Sequence, residues 1–279
     1  MENKFKLKYL EYLVNECEGC YFNKENGPPL APKYKKRLEQ AQLSFNIVEP
    51  QTPFDVKFDI FRRLNIGGKP LNRQEIRNSM AKKHIRKFIK KLINTEDFIK
   101  AIDGGISSIR MADQELILKY IAFYLIENNK VENFKYTGEL PVLLDKCIHI
   151  LNDFNPENPI FTELETSFTS AMRIVYYLFK EYSFRKFRED GKKSLLNTQL
   201  FLSFTLVLAE YNKDTLKKQL SPGALIEPLK KSLEDRKYFD SVSYGINSYT
   251  KIKFSIKKAK EIVKDHLQSR WLLQDQKNV

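Results

Sequence analysis

Only 10 glycines and 11 prolines interrupt 279 residues, while Lys, Leu, Glu, Phe and Tyr are abundant. A chain with so few turn formers has little room for the many tight connections a large sheet needs, so long helices are expected. The expected fold class is mainly α, with one or two short strands in an α/β module at the front and a multi-helix region behind it. The length suffices for one large core or two smaller ones. The expected organisation is a module over residues 1–95 and a helical domain over 96–279.

Hydrophobic phase places the elements. Leu7, Leu10 and Leu13 form an apolar triplet, Gly27-Pro28-Pro29 is a turn, and a short helix is expected from Pro32 to Gln42. Leu43 to Val48 alternates apolar and polar residues and reads as a strand that needs partners. Thr52-Pro53 and Asp55 open a further helix, stopped by Asn65-Ile66-Gly67-Gly68. From Asn72 the phase of Ile76 and Met80 does not run on into Ile85, Phe88, Ile89, Leu92 and Ile93, so a break is expected near residues 81–83. Asp113 to Asn128 is apolar almost all round and predicts a central buried helix. Further helices are expected from about Glu139, Pro159, Leu195, Thr215, Pro222 and Ser248, and Arg185 to Ser194 reads as a surface loop.

The chemistry concentrates between Phe61 and Asn78. Gly67-Gly68 lets a ligand approach the main chain. Asn72 and Glu75 have capping-box spacing, and Leu71 and Ile76 that of a hydrophobic staple. A helix start fixed this way directs amide groups and a positive dipole end toward the glycine corner, where anions bind. Arg62, Arg63, Lys69, Arg73 and Arg77 add positive charge. The plainer alternative is a capped helix after a tight turn whose arginines face water.

The net charge of +13 favours polyanionic partners through counterion release. A lysine-rich but otherwise ordinary surface is the competing explanation. Lys82, Lys83, Arg86, Lys87, Lys90 and Lys91 gather away from the apolar stripe of their helix and are the candidate DNA-binding residues. No run of about 18 apolar residues is present to span a membrane, and the start Met-Glu-Asn-Lys-Phe-Lys has no apolar signal core. With three cysteines and no secretion signal, a reducing cytoplasmic location is expected. Cys17 and Cys20 form a C-x-x-C pair, but Cys147 and His149 complete a zinc set poorly, because i and i+2 do not share a helical face. His84, His149 and His266 stand outside any nucleophilic constellation, no Walker loop occurs, and Glu234-Asp235-Arg236-Lys237 reads as an exposed helix turn.

The segment Ile60 to Asn78 fills every fixed position of a pattern close to I-F-x-R-L-N-x-G-G-x-x-L-x-x-Q-E-I-R-N, and Arg110 to Tyr120 follows R-M-x-D-x-E-L-x-L-R-[FY] with Lys119 as its one departure. In these two stretches the chain resembles the GmrSD-type restriction endonuclease amino-terminal domain family. Weaker likeness continues through Asn197 to Phe201 and Ser241 to Val263. The resemblance implies a ParB/sulfiredoxin-like module and a bacterial restriction or phage-defence system acting on DNA, with NTP and Mg as cofactors of the complete domain. The family's Y-Q-R and D-G-Q-Q-R elements do not occur here. Lys4-Phe5-Lys6-Leu7 resembles the segment that follows D-G-Q-Q-R, so the chain is expected to be a truncated or split component, inactive alone and completed by a partner chain. ParB spacing is matched at Asn65, Leu71, Asn72 and Glu75, with Gly68 where ParB has arginine. On this resemblance Arg63, Asn65, Gly67, Gly68, Glu75, Arg77 and Asn78 would line half of a nucleotide-phosphate pocket, with catalytic residues unassigned and no resident metal site. The alternatives are a non-catalytic basic DNA-binding module and an inactive remnant.

Overall fold

The computed structural model describes residues 6–22, 27–42, 44–45, 47–49, 51–53, 56–57, 59–60, 63, 70–188 and 194–275, with side chains as far as residue 267. The chain divides into two compact units, Met1–Thr52 and Pro53–Val279. The helices on either side of residue 95 pack together within the larger unit.

The small unit holds a one-turn helix α1 (Val14–Cys17) and α2 (Pro32–Glu39), which starts with proline at its first position. Glu16 accepts hydrogen bonds from Lys33 Nζ (2.6 Å) and Tyr34 Oη (2.5 Å), and the bond from Lys33 holds its carboxyl below the usual range. Among the described residues there is no β-strand, only isolated bridges at Lys6–Tyr21, Tyr21–Pro29 and Arg185–Leu196. The strand expected at Leu43 to Val48 is therefore corrected for its described members, Ser44, Phe45, Ile47 and Val48, while Leu43 and Asn46 lie outside the described residues. Alternation alone does not make a strand when no ladder partner supplies backbone hydrogen bonds.

The large unit is helical. Its elements are α3 (Arg73–Met80), α4 (Lys83–Ile93), α5 (Glu96–Ile102), a 3₁₀ turn (Ile109–Met111), α6 (Ala112–Glu127), α7 (Leu140–Asp153) and α8 (Pro159–Phe179). There follow α9 (Thr198–Leu208), α10 (Lys213–Gln219), α11 (Ile226–Ser232), α12 (Arg236–Ser243) and α13 (Tyr249–Asp275). Residues 56, 57, 59, 60 and 63 are also helical.

Two helices form the centre. Every residue of α6 from Leu116 to Leu125 is buried, as is every residue of α9 from Gln199 to Leu208. α6 packs against α3, α4, α7 and α9, while α9 also packs against α8 and α13. Aromatic edges fill the middle: Phe168 of α8 meets Tyr120 and Phe98, and Phe201 meets Phe98 and Phe184. The all-round apolarity of 113–128 has its explanation in this position.

The break expected near 81–83 is present. Ala81 and Lys82 are extended, and α4 starts afresh at Lys83. Asn152 of α7, itself buried, closes the gap: its Oδ1 accepts from the Lys82 amide (2.7 Å) and its Nδ2 donates to the Met80 carbonyl (3.1 Å). Arg185, expected in a surface loop, is buried instead. Its guanidinium donates to the carbonyls of Ile102 (3.0 Å) and Asp103 (3.1 Å), satisfying the end of α5. A Cβ on Gly105 would lie 2.8 Å from that guanidinium and from the Ile102 carbonyl, so only glycine fits beneath it.

Candidate functional site

The capping box at the start of α3 forms. Asn72 is extended, its Oδ1 accepts from the Glu75 amide (2.8 Å), and Glu75 Oε2 accepts from the Asn72 amide (2.6 Å). Arg110, from the 3₁₀ turn, then clasps the box. Its Nη2 donates to Glu75 Oε2 (2.8 Å) and to the Pro70 carbonyl (2.6 Å), and its own carbonyl accepts from Asn72 Nδ2 (2.8 Å). Glu75 holds the guanidinium firmly charged. Arg110 and Met111 are both left-handed, at φ 57° and 62°, each costing about 1–2 kcal/mol for an L-residue. Bonds to charged groups contribute about 1.5–3 kcal/mol each, enough to hold both residues there.

This clasp changes the electrostatics of the helix start. A carboxylate already lies against the amide groups of α3 and compensates the positive end of its dipole. An incoming phosphate at that end meets Glu75 as a competitor. The Glu75 carboxylate is likewise committed to Asn72 and Arg110 and is not free to hold a metal-bound water. Of the expected nucleotide set, Glu75 is thus engaged within the clasp. Asn65, Gly67 and Gly68 lie outside the described residues. Arg63 pairs with Asp59 (2.8 Å), and Asn78 is half-buried on α3.

Arg77 is placed in the interior, at 1% exposure. Its Nε donates to Asp145 Oδ1 (2.6 Å), Nη2 to the Pro141 carbonyl (3.2 Å) and Nη1 to Gln74 Oε1 (3.4 Å), with Glu115 Oε2 at 3.7 Å. The guanidinium ties α3 to α6 and α7, and all three of its nitrogens face protein acceptors. The expectation of a phosphate ligand is replaced here by a buried strut.

Beside the clasp lies a cleft of about 310 Å³, whose polar lining comes from Asn72, Arg110, Glu115, Lys119, Thr198 and Asn247. Lys119 is only 4% exposed and makes no hydrogen bond or ion pair to any described residue. Burial pushes its ammonium down to about 8, against the weaker opposing pull of Glu115. No expectation from sequence singled it out. The available signal was a lysine in the middle of a helix apolar on every side.

The six cations of the basic segment are all exposed. Three also engage protein groups: Lys82 Nζ donates to the Asn152 carbonyl (2.6 Å), Arg86 to the Ala81 carbonyl, and Lys91 pairs with Glu165 (2.5 Å). Lys83, Lys87 and Lys90 have no partner among the described residues and share one face at i, i+4, i+7 spacing, within about 10 Å along the axis. The opposite face anchors the helix through Ile85, Ile89 and Leu92.

Among the described residues no group of three or more His, Cys, Asp or Glu side chains is arranged to hold a metal. Cys147 is buried in α7 and its thiol is pushed far up by burial; Cys17 is also buried and Cys20 partly so. No helix of the described residues is long and apolar enough to cross a membrane. Comparison of the chain with protein-family models, with curated proteins and with solved structures gave no match.

Proposed function

We propose that this protein is a DNA-contacting component of a restriction or phage-defence system, working through a basic surface and not through bond-breaking chemistry of its own. The observation that carries the reading is the open face of α4, where Lys83, Lys87 and Lys90 project from a helix anchored in the core. No acidic residue occurs between Lys82 and Lys91 to offset them. A rigid row of cations neutralises backbone phosphates without reading bases. The link to restriction systems rests on the two motif-bearing stretches, which meet in the Asn72–Glu75–Arg110 clasp. On the same reading residues 1–95 correspond to a ParB-like part, and NTP hydrolysis belongs to polypeptide that carries the D-G-Q-Q-R element.

Fluorescence anisotropy with a labelled duplex across a salt series tests this. Binding weakens as salt rises, with a logarithmic slope of about −0.9 per phosphate neutralised. The triple variant Lys83→Gln, Lys87→Gln, Lys90→Gln flattens the slope by about 2 to 3 and leaves thermal stability unchanged. Absence of binding at low salt, or an unaltered slope in the variant, refutes the assignment.

A further inference from the structure

We propose that the cleft between the start of α3, α6 and α9 binds a small organic monoanion, a carboxylate on an apolar body, with the Lys119 ammonium as its counter-ion. The site is separate from the basic face of α4 and does not depend on the DNA reading.

Three observations converge. First, Lys119 lines the cleft almost fully buried and without a protein partner. Buried charges are ordinarily paired, so an unpaired ammonium beside a cavity marks where a missing anion belongs. Second, α9 is eleven residues long and Thr198 at its start forms part of the same wall, so a second source of positive potential meets the cavity. Asn197 caps that helix with a neutral amide, accepting from the Gln199 and Leu200 amides, and adds no compensating charge.

Third, the charge count sets the class of ligand. The charged side chains lining the cleft are Arg110, Glu115 and Lys119. Arg110 is matched by Glu75 and Arg77 by Asp145, so Glu115, 3.7 Å from Arg77, offsets Lys119 only at a distance, without a hydrogen bond or ion pair between them. Lys119 is thus the one lining cation with no carboxylate in contact, and a single anionic charge, a carboxylate, suits it better than a phosphate dianion or a polyphosphate. The rest of the lining, including Ile106, Leu116, Leu140 and Ile246, is apolar. About 310 Å³ is at the small end of ligand pockets and holds a single ring or a short chain.

Isothermal titration calorimetry on the full chain decides the matter with benzoate and hexanoate, their uncharged counterparts benzyl alcohol and hexanol, and inorganic phosphate. The carboxylates are expected to bind at least about tenfold more tightly than the alcohols or phosphate, and Lys119→Met to abolish that preference. Near pH 8 carboxylate binding should take up protons, because the anion favours the ammonium over the amine; the observed enthalpy then varies with the ionisation enthalpy of the buffer. This last readout uses the unaltered protein and stands even if the variant fails to fold. Alcohols binding as tightly as carboxylates, phosphate binding more tightly than either acid, binding without proton uptake, or no binding by any probe overturns the proposal.

Discussion

Arg77→Met is the substitution that tests the buried strut of the larger unit most directly. It removes the 2.6 Å charge-assisted bond to Asp145 and the contacts to Gln74 and the Pro141 carbonyl, while a methionine fills most of the vacated volume. The loss is therefore electrostatic more than volumetric. Removing one partner of a buried ion pair costs about 3–5 kcal/mol, since the other charge stays behind unpaired. The Asp145 side chain is 23% exposed and recovers some hydration, so the lower end, about 3 kcal/mol, is expected. For a unit of this size that lowers Tm by about 6–12 °C, to be followed by circular dichroism and urea unfolding. Arg77→Lys should lose nearly as much, because an ammonium cannot reproduce the fork that reaches three acceptors. Pairing Arg77→Met with Asp145→Leu removes both charges, and the double variant should recover about 1–3 kcal/mol relative to the sum of the singles. A loss under about 1 kcal/mol for Arg77→Met, or strict additivity in the cycle, would refute the strut and reopen a ligand-binding role.

Asn152→Leu should destabilise by about 2–4 kcal/mol, since it orphans both the Lys82 amide and the Met80 carbonyl at the break before α4; an unchanged urea midpoint would show that water replaces both bonds. Met111→Gly should be neutral or stabilising by up to about 1 kcal/mol through relief of its left-handed backbone, whereas Arg110→Gly should cost about 2–4 kcal/mol because the clasp goes with it; equal effects in thermal unfolding would contradict this account of the turn. Lys119→Met should stabilise the protein at neutral pH by up to about 3 kcal/mol. The sign follows from the lowered folded value of about 8 against the ordinary 10.5. Between these values the unfolded chain binds more protons, so the penalty is complete below about pH 8 and disappears as pH rises toward 10.5. Urea midpoints of the two proteins should accordingly converge at high pH, and a constant gap would show that the charge of Lys119 is not the cause.

Elements that bury a single stripe or a whole surface were legible in the sequence, because periodicity reports burial directly. The phase slip between Met80 and Ile85 locates the break between α3 and α4, and the apolar run after Asp113 locates the central helix. What closes the break was not legible: Asn152 lies 70 residues away, and nothing around it in the chain announces that contact. The helix Glu96–Ile102 carries too few turns to show a period and gave no signal, and of Arg236–Ser243 only the turn at Glu234 to Lys237 was read. The candidate site divides in the same way. The Asn72–Glu75 box is a local spacing and forms as read, whereas its clasp by Arg110, 35 residues beyond Glu75, depends on tertiary folding.

Arg77 and Lys119 mark the limit of local reading. Both are cations in motif-bearing stretches, and neither is open to solvent, yet one has three protein acceptors and the other has none. The motif resemblance assigns Arg77 to a ligand and passes over Lys119 as a variant position. The distinction becomes visible only when acceptors are counted around each charge, because a buried cation is tolerated either through partners within the fold or through an occupant from outside. Arg77 belongs to the first kind, which makes it a poor ligand-binding residue despite its charge. Lys119 belongs to the second, and its missing partner defines the cleft more sharply than any residue the motifs themselves emphasise.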